Sequence, residues 1–213
     1  LRPDRMRDEL VQALAAVGYR TLTTALDGPS QRLRDVIERR GREQHYLEAA
    51  HNAKAHGMDR LKLYLMLGLP SETDADSDEC VRFVGELSRV LPVALGIAPF
   101  CAKRNTPLDG MPFAGIRTVT KRLDRLTRGL RGRADIRAIS SKWAWVEYVL
   151  AQGGLREGHA LIDATRAGGR FSDFRRVFGE LGHRPNGEGY AHAVPQAGPE
   201  WKGRRVLPLH DNV

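Results

Sequence analysis

Residues 60–68, Arg60-Leu61-Lys62-Leu63-Tyr64-Leu65-Met66-Leu67-Gly68, constrain the fold more than any other stretch of the chain. The run alternates at first and then turns apolar throughout, which predicts a strand buried inside a parallel sheet. A lysine inside such a strand has to pair or snorkel, so Lys62 stands apart from its neighbours.

The flanking segments supply the rest of an alternating pattern. Residues 5–17 have helical spacing and stop at Gly18, and Tyr19-Arg20-Thr21-Leu22-Thr23-Thr24 is rich in strand formers. Asp27-Gly28-Pro29-Ser30 breaks that strand and offers Ser30 as the N-cap of a helix to about residue 40; a second helix, 43–56, ends at Gly57. The turn Gly68-Leu69-Pro70-Ser71-Glu72-Thr73 closes the central strand, a helix with an acidic first turn spans 74–91, and residues 92–99 form another buried strand. Strands and helices in this order are right-handed β/α crossovers, so residues 19–100 make one side of a parallel sheet or barrel. Three strands do not close a barrel. Residues 101–113, with Pro107 and Pro112, read as a loop across one end of the sheet, followed by a helix over 114–130 and a short strand over 135–139. Helical patterns over 141–152, 155–167 and 171–182 follow, and the Pro-, Gly- and His-rich remainder has no period. The expected organisation is a β/α part over 1–140, a helical extension over 141–183 and an irregular tail over 184–213.

Composition narrows the function classes. The longest apolar runs, 63–70 and 91–97, are too short to cross a bilayer. The 213 residues open without an initiator Met and run straight into helical spacing, so the expectation is a segment of a longer chain. Only Cys80 and Cys101 are present, which excludes a disulfide framework and a four-thiolate metal site within the chain and points to a reducing, cytoplasmic setting. The seven histidines form no metal set: His51 and His56 are five apart, off the i, i+4 spacing of a chelating pair. The net charge is +8, much of the excess is Arg in helical stretches with acidic neighbours, and the densest cluster is Lys121, Arg122, Arg125, Arg128, Arg131 and Arg133. With no aromatic residue interleaved for base stacking, these read as a solvated helix face, and a basic module for RNA or another anion is the alternative.

Chemistry in parallel β/α architectures collects at the carboxyl ends of the strands, where turns and helix N-termini converge. After the first strand, Asp27 suits ribose hydroxyls and Ser30 suits a carboxylate or phosphate, yet on composition alone a turn residue and a helix cap are the simpler readings. After the second, Gly68 lets backbone approach a ligand and Glu72 reads as a cap. After the third, Pro99-Phe100-Cys101-Ala102-Lys103-Arg104-Asn105-Thr106-Pro107 joins an aromatic ring and cations in one loop, where Phe100 is either ligand cover or core. Lys62, Tyr64 and Lys103 are substrate-pocket candidates, Lys62 on condition that it points into the barrel.

Taken together and in this order, the three turns resemble the second half of the radical S-adenosylmethionine (SAM) superfamily. The similarity is greatest to the group whose members often carry a cobalamin-binding-type domain. It lies along Thr21 to Ile37, with Ser30-Gln31-Arg32-Leu33-Arg34, along Lys62 to Thr73, along Pro99 to Pro107, and through Trp143 to Gly154 and Gly169 to Phe174. The resemblance implies a partial (β/α) barrel of parallel strands, its second half only, with a small helical extension. It implies that Asp27 holds the SAM ribose, Ser30 and Arg39 hold the methionyl carboxylate, and backbone at Gly68, Pro99 and Phe100 flanks the adenine. The parent enzyme would cleave SAM reductively at a [4Fe–4S] cluster to begin radical chemistry on an unknown substrate, a small molecule or RNA, with cobalamin as a further cofactor in some members. The C-x-x-x-C-x-x-C loop that carries that cluster is absent from this sequence, so the segment alone is expected to be inactive.

Overall fold

A computed structural model describes residues 2–186; the irregular tail expected from residue 184 falls, past Asn186, outside the described residues. Four strands, β1 (Thr21–Asp27), β2 (Arg60–Leu67), β3 (Val93–Pro99) and β4 (Ala134–Ala138), form one sheet in the order β1-β2-β3-β4. All three pairings are parallel. A parallel return needs a crossover, and each one carries helix: α2 (Gln31–Val36) and α3 (Glu43–Ala55), then α4 (Asp74–Val90), then α5 (Ile116–Gly129). Helix α1 (Asp8–Ala16) precedes β1. The architecture is α/β, a parallel sheet with alternating helices consistent with a partial (β/α) barrel.

The central strand explains the layering. Leu61, Leu63, Leu65 and Leu67 are buried in the core, while Arg60, Lys62, Tyr64 and Met66 lie on the other face, where Tyr64 is 47% exposed. Strand β2 therefore alternates along its whole length instead of being buried on both faces, because the helices pack against one side of the sheet. Their contribution to that core includes Tyr46, Ala49, Ala50 and Ala53 from α3, Phe83, Val84 and Leu87 from α4, and Leu126 from α5. Three alanines on α3 let the helix lie close, and the Tyr46 ring meets Phe83 edge-on at 5.9 Å.

Two differences from the sequence reading shape the edge of the sheet. Strand β1 runs to Asp27, past a register shift between Ala25 and Asp27, and Asp27 has φ +61°. Helix α2 stops at Val36, well short of residue 40. Glu38 adopts φ +57°, its N–H donates to the Asp35 carbonyl, and the Arg39 N–H donates to the Arg34 carbonyl at 2.7 Å. This is a Schellman closure, with glutamate in the left-handed position that glycine usually takes.

Helix α4 clamps the turns that precede it. Asp76 accepts from the Thr73 N–H (2.7 Å) and hydroxyl (2.8 Å), from the Ser30 hydroxyl (2.5 Å) and from both Nε and Nη2 of Arg32 (3.2 and 2.6 Å). One turn on, Glu79 accepts from the Gln31 N–H at 2.6 Å. Helix α4 thus ties down the start of α2, Asp76 through the Ser30 hydroxyl and the Arg32 side chain and Glu79 through the open Gln31 N–H. Glu72 performs the equivalent task for its own turn, accepting from the N–H groups of Gly68 (2.6 Å) and Leu69 (2.9 Å), with Arg122 of α5 against its other oxygen at 3.3 Å. Burial pushes the Glu72 carboxyl above the usual range, against the pull of Arg122 and these two N–H groups.

The chain forms two compact units, residues 1–99 with 119–140, and residues 100–118 with 141 onward. The loop expected to accompany the sheet belongs to the second unit. There Cys101 contacts the Ala144 carbonyl, Arg104 donates to the Gln152 carbonyl at 2.6 Å, and Phe113 stacks on Tyr148. The same unit contains α6 (Ser141–Gln152), α7 (Leu155–Arg166) and α8 (Phe171–Glu180). Trp145 is its fully buried anchor, 5.9 Å from both Phe171 and Phe178. Among the described residues no helix is long and apolar enough to cross a membrane.

Truncating Leu63 to alanine empties the centre of the first unit and is expected to cost about 2–5 kcal/mol, seen as faster hydrogen exchange across β2. Asp76 gives a pH signature. Burial raises its carboxyl, but the bonds from Arg32, Ser30 and Thr73 outweigh that and hold it at about 2, below its ordinary 3.8. Its contribution, about 2 kcal/mol, is complete above the unfolded-state value and is lost as pH falls from about 4 towards 2. Urea midpoints measured across that window should fall in the natural chain and fall less in Asp76→Asn, which starts lower.

Candidate functional site

Because β1, β2 and β3 are adjacent and parallel, their carboxyl ends share one edge, with Leu67 level with Pro99. Asp27 stands at this rim. The Schellman closure after α2 returns the chain towards it, placing Arg39 Nε 3.1 Å from Asp27 Oδ2. Asp27 is largely covered and Arg39 is open to solvent, their side chains 20% and 57% exposed. Burial pushes the Asp27 carboxyl up, and the Arg39 guanidinium opposes that rise.

Ser30 is not available as a ligand for a carboxylate. Its hydroxyl is fully buried, accepts from the Leu33 N–H at 3.1 Å as the helix cap, and donates to Asp76. The neighbouring Gln31 N–H is filled by Glu79, so the protein's own carboxylates occupy the position a ligand carboxylate would take. Gly68, with φ +86°, sits at the rim but gives its N–H to Glu72. Pro99 ends β3 at the same edge. Phe100 and Lys103 belong to the second unit, where Phe100 is buried and Lys103 Nζ lies 2.5 Å from Glu147 Oε1.

The open face of the sheet lines a cavity of about 690 Å³. Register orders its floor in rows: Thr23, Lys62, Ala94 and Asp135 in one, and Tyr64, Gly96 and Arg137 in the next towards the rim. Asp27, Met66, Ala98 and Ile139 line it nearer the rim. Lys62 does point into the cavity, its Nζ 5.0 Å from the centre of the Tyr64 ring. Gly96 makes room for that ring, since a Cβ there would come within 2.9 Å of it.

Sequence reasoning missed the residues that hold the rim in place. Arg34 is fully buried between Tyr46 and Phe83, 6.0 and 5.7 Å from their ring centres, and donates to the Gly28 carbonyl at 3.2 Å. Gly28 is needed because a Cβ there would lie 3.0 Å from the Arg34 backbone nitrogen. Asp76 had a readable local signal, the Thr73-x-x-Asp76 capping pattern, but nothing local marks its bond to Ser30. The basic stripe of α5 is partly committed: Arg125 binds Asp78 at 2.6 Å, Lys121 lies 3.2 Å from Asp74, and Arg122 holds the Glu72 turn. Those three cations are therefore not free for a nucleic-acid backbone. His56 pairs with Asp8 at 2.8 Å and His183 with Glu157 at 3.1 Å.

Two comparisons with known proteins bear on this geometry. The chain is similar to an uncharacterized protein of Methanocaldococcus jannaschii, 33% identical over 114 residues, which is 53% of this chain. The chain spans about a quarter of the length of that relative (25%). Residues 1–84 match the family model described as the Radical SAM superfamily, a stretch that takes in β1, β2 and the rim turns after both.

Proposed function

We propose that this chain is the second half of a radical SAM barrel, supplying the rim that holds SAM and one wall of the substrate cavity. The observation that carries this reading is the shared edge formed by Asp27, Gly68 and Pro99 at the carboxyl ends of adjacent parallel strands. The family match over the first two strands supports it. In this reading Asp27 accepts from the ribose hydroxyls and Arg39 grips the methionyl carboxylate with two parallel hydrogen bonds, a geometry that suits the planar guanidinium better than an ammonium. Backbone at Gly68 and Pro99 flanks the adenine. Without ligand, Asp27 and Arg39 neutralise each other. Binding exchanges that ion pair for a new one between Arg39 and the methionyl carboxylate, with the Asp27 carboxylate held by hydrogen bonds from the neutral ribose hydroxyls.

The iron–sulfur cluster that the family implies does not fit the residues of this chain. Three thiolates are required, and the chain has Cys80 and Cys101 alone. Cys80 is fully buried on α4 and Cys101 lies in the second unit, and burial pushes both thiols up to about 12. The cluster ligands in this reading come from outside residues 1–213.

Titration calorimetry of the full chain with S-adenosylhomocysteine tests the rim. Saturable binding is expected, with Asp27→Asn and Arg39→Met each weakening it at least tenfold and leaving the circular dichroism spectrum unchanged. Absence of binding at millimolar ligand, or affinity indifferent to both substitutions, would overturn the proposal.

A further inference from the structure

We infer that the open face of the sheet receives a small organic anion, its charged end against Lys62 and a flat apolar body along Tyr64. The inference deepens the radical SAM reading by naming the chemical class of the substrate, and it rests on that reading for the role of substrate alone.

Charge is the first argument. Arg60, Lys62 and Arg137 line the cavity together with Asp135. Arg60 and Arg137 each lie 3.6 Å from that carboxylate. Among the described residues no carboxylate lies within 4.0 Å of Lys62, whose neighbour is the Tyr64 ring. An ammonium held against an aromatic face beside a cavity, with its counter-charge missing, is a site for an anion.

Shape is the second. Thr23 and Ala94 flank Lys62 in register, and Gly96 lies beside Tyr64. These small residues leave the Lys62 head and the Tyr64 ring standing above the floor. From Lys62 to Met66 is four residues of strand, about 13 Å, the length of a substituted aromatic acid. The cavity of about 690 Å³ suits a ligand of that size.

Polarity fixes the orientation. Asp27 stands at the rim end of the same cavity and Lys62 nearer the amino ends of the strands. At the rim Asp27 and Arg39 neutralise each other, whereas Lys62 has no carboxylate beside it among the described residues, so the ligand enters with its charge leading towards Lys62. Its uncharged part is left beside Met66 and the Asp27–Arg39 pair.

The test uses the full chain with ¹³C-methyl-labelled methionine, reading the Met66 methyl resonance during titration with benzoate, phenyl phosphate and the neutral benzyl alcohol. Both anions should shift the signal and saturate, and benzyl alcohol should bind at least tenfold more weakly. The tighter of the two anions identifies the headgroup as carboxylate or phosphate. Lys62→Met should reduce the anions to the level of benzyl alcohol and leave benzyl alcohol itself unchanged, whereas Lys62→Arg should retain them. Equal binding of benzoate and benzyl alcohol, indifference of the anions to Lys62→Met, or no saturable shift with any probe would overturn the inference. S-adenosylhomocysteine titrated into the same proteins separates the two ideas: loss of its binding to the natural chain counts against the rim, and loss of the probe response alone counts against Lys62.

Discussion

One buried carboxylate ties the candidate site together. Asp76 takes hydrogen bonds from Ser30 and Arg32 at the start of α2 and from Thr73 at its own helix start, so the turn after β1 and the turn after β2 are held as one piece. Parallel strands alone bring their ends to a common edge but leave the connecting turns free to splay. With Asp76, Glu79 and Glu72 all accepting from backbone N–H groups at that edge, the turns are fixed by charge-assisted bonds in a largely dry setting. Asp27 and Arg39 inherit their positions from this frame.

The fold was largely legible because its signals are local. The strand and helix sequence from residue 8 to 180 follows from apolar period, from Gly18, Gly57 and Gly68 as stops, and from Ser30 and Thr73 as caps. What escaped was non-local or atypical. The early end of α2 depends on Glu38 in a conformation where glycine is the usual signal, so the pattern ran on to residue 40. The burial of Ser30 depends on a partner 46 residues away, which no spacing rule contains. The open face of β2 is a different case: Arg60, Lys62, Tyr64 and Met66 sit at strict two-residue intervals, and the apolar end of the run concealed that alternation.

The same frame explains why the helix N-terminus that first suggests an anion site is not one. At the start of α2 the protein has already brought its own acids, Glu79 to the Gln31 N–H and Asp76 to the hydroxyl of the Ser30 cap. Positive charge for a ligand is instead offered by side chains, Arg39 at the rim and Lys62 on the cavity floor. These differ in kind. Arg39 is matched by Asp27 within the chain, whereas Lys62 rests on the Tyr64 ring with no carboxylate within 4.0 Å among the described residues.

Alternation in β2 divides its side chains into two sets with separate duties, Leu61, Leu63, Leu65 and Leu67 beneath the helices and Lys62, Tyr64 and Met66 above the cavity. Exchange at one set scarcely touches the other. A lineage built on this sheet can therefore retool what it recognises by replacing a few upward-facing residues, while the leucines beneath keep the scaffold's stability out of the exchange.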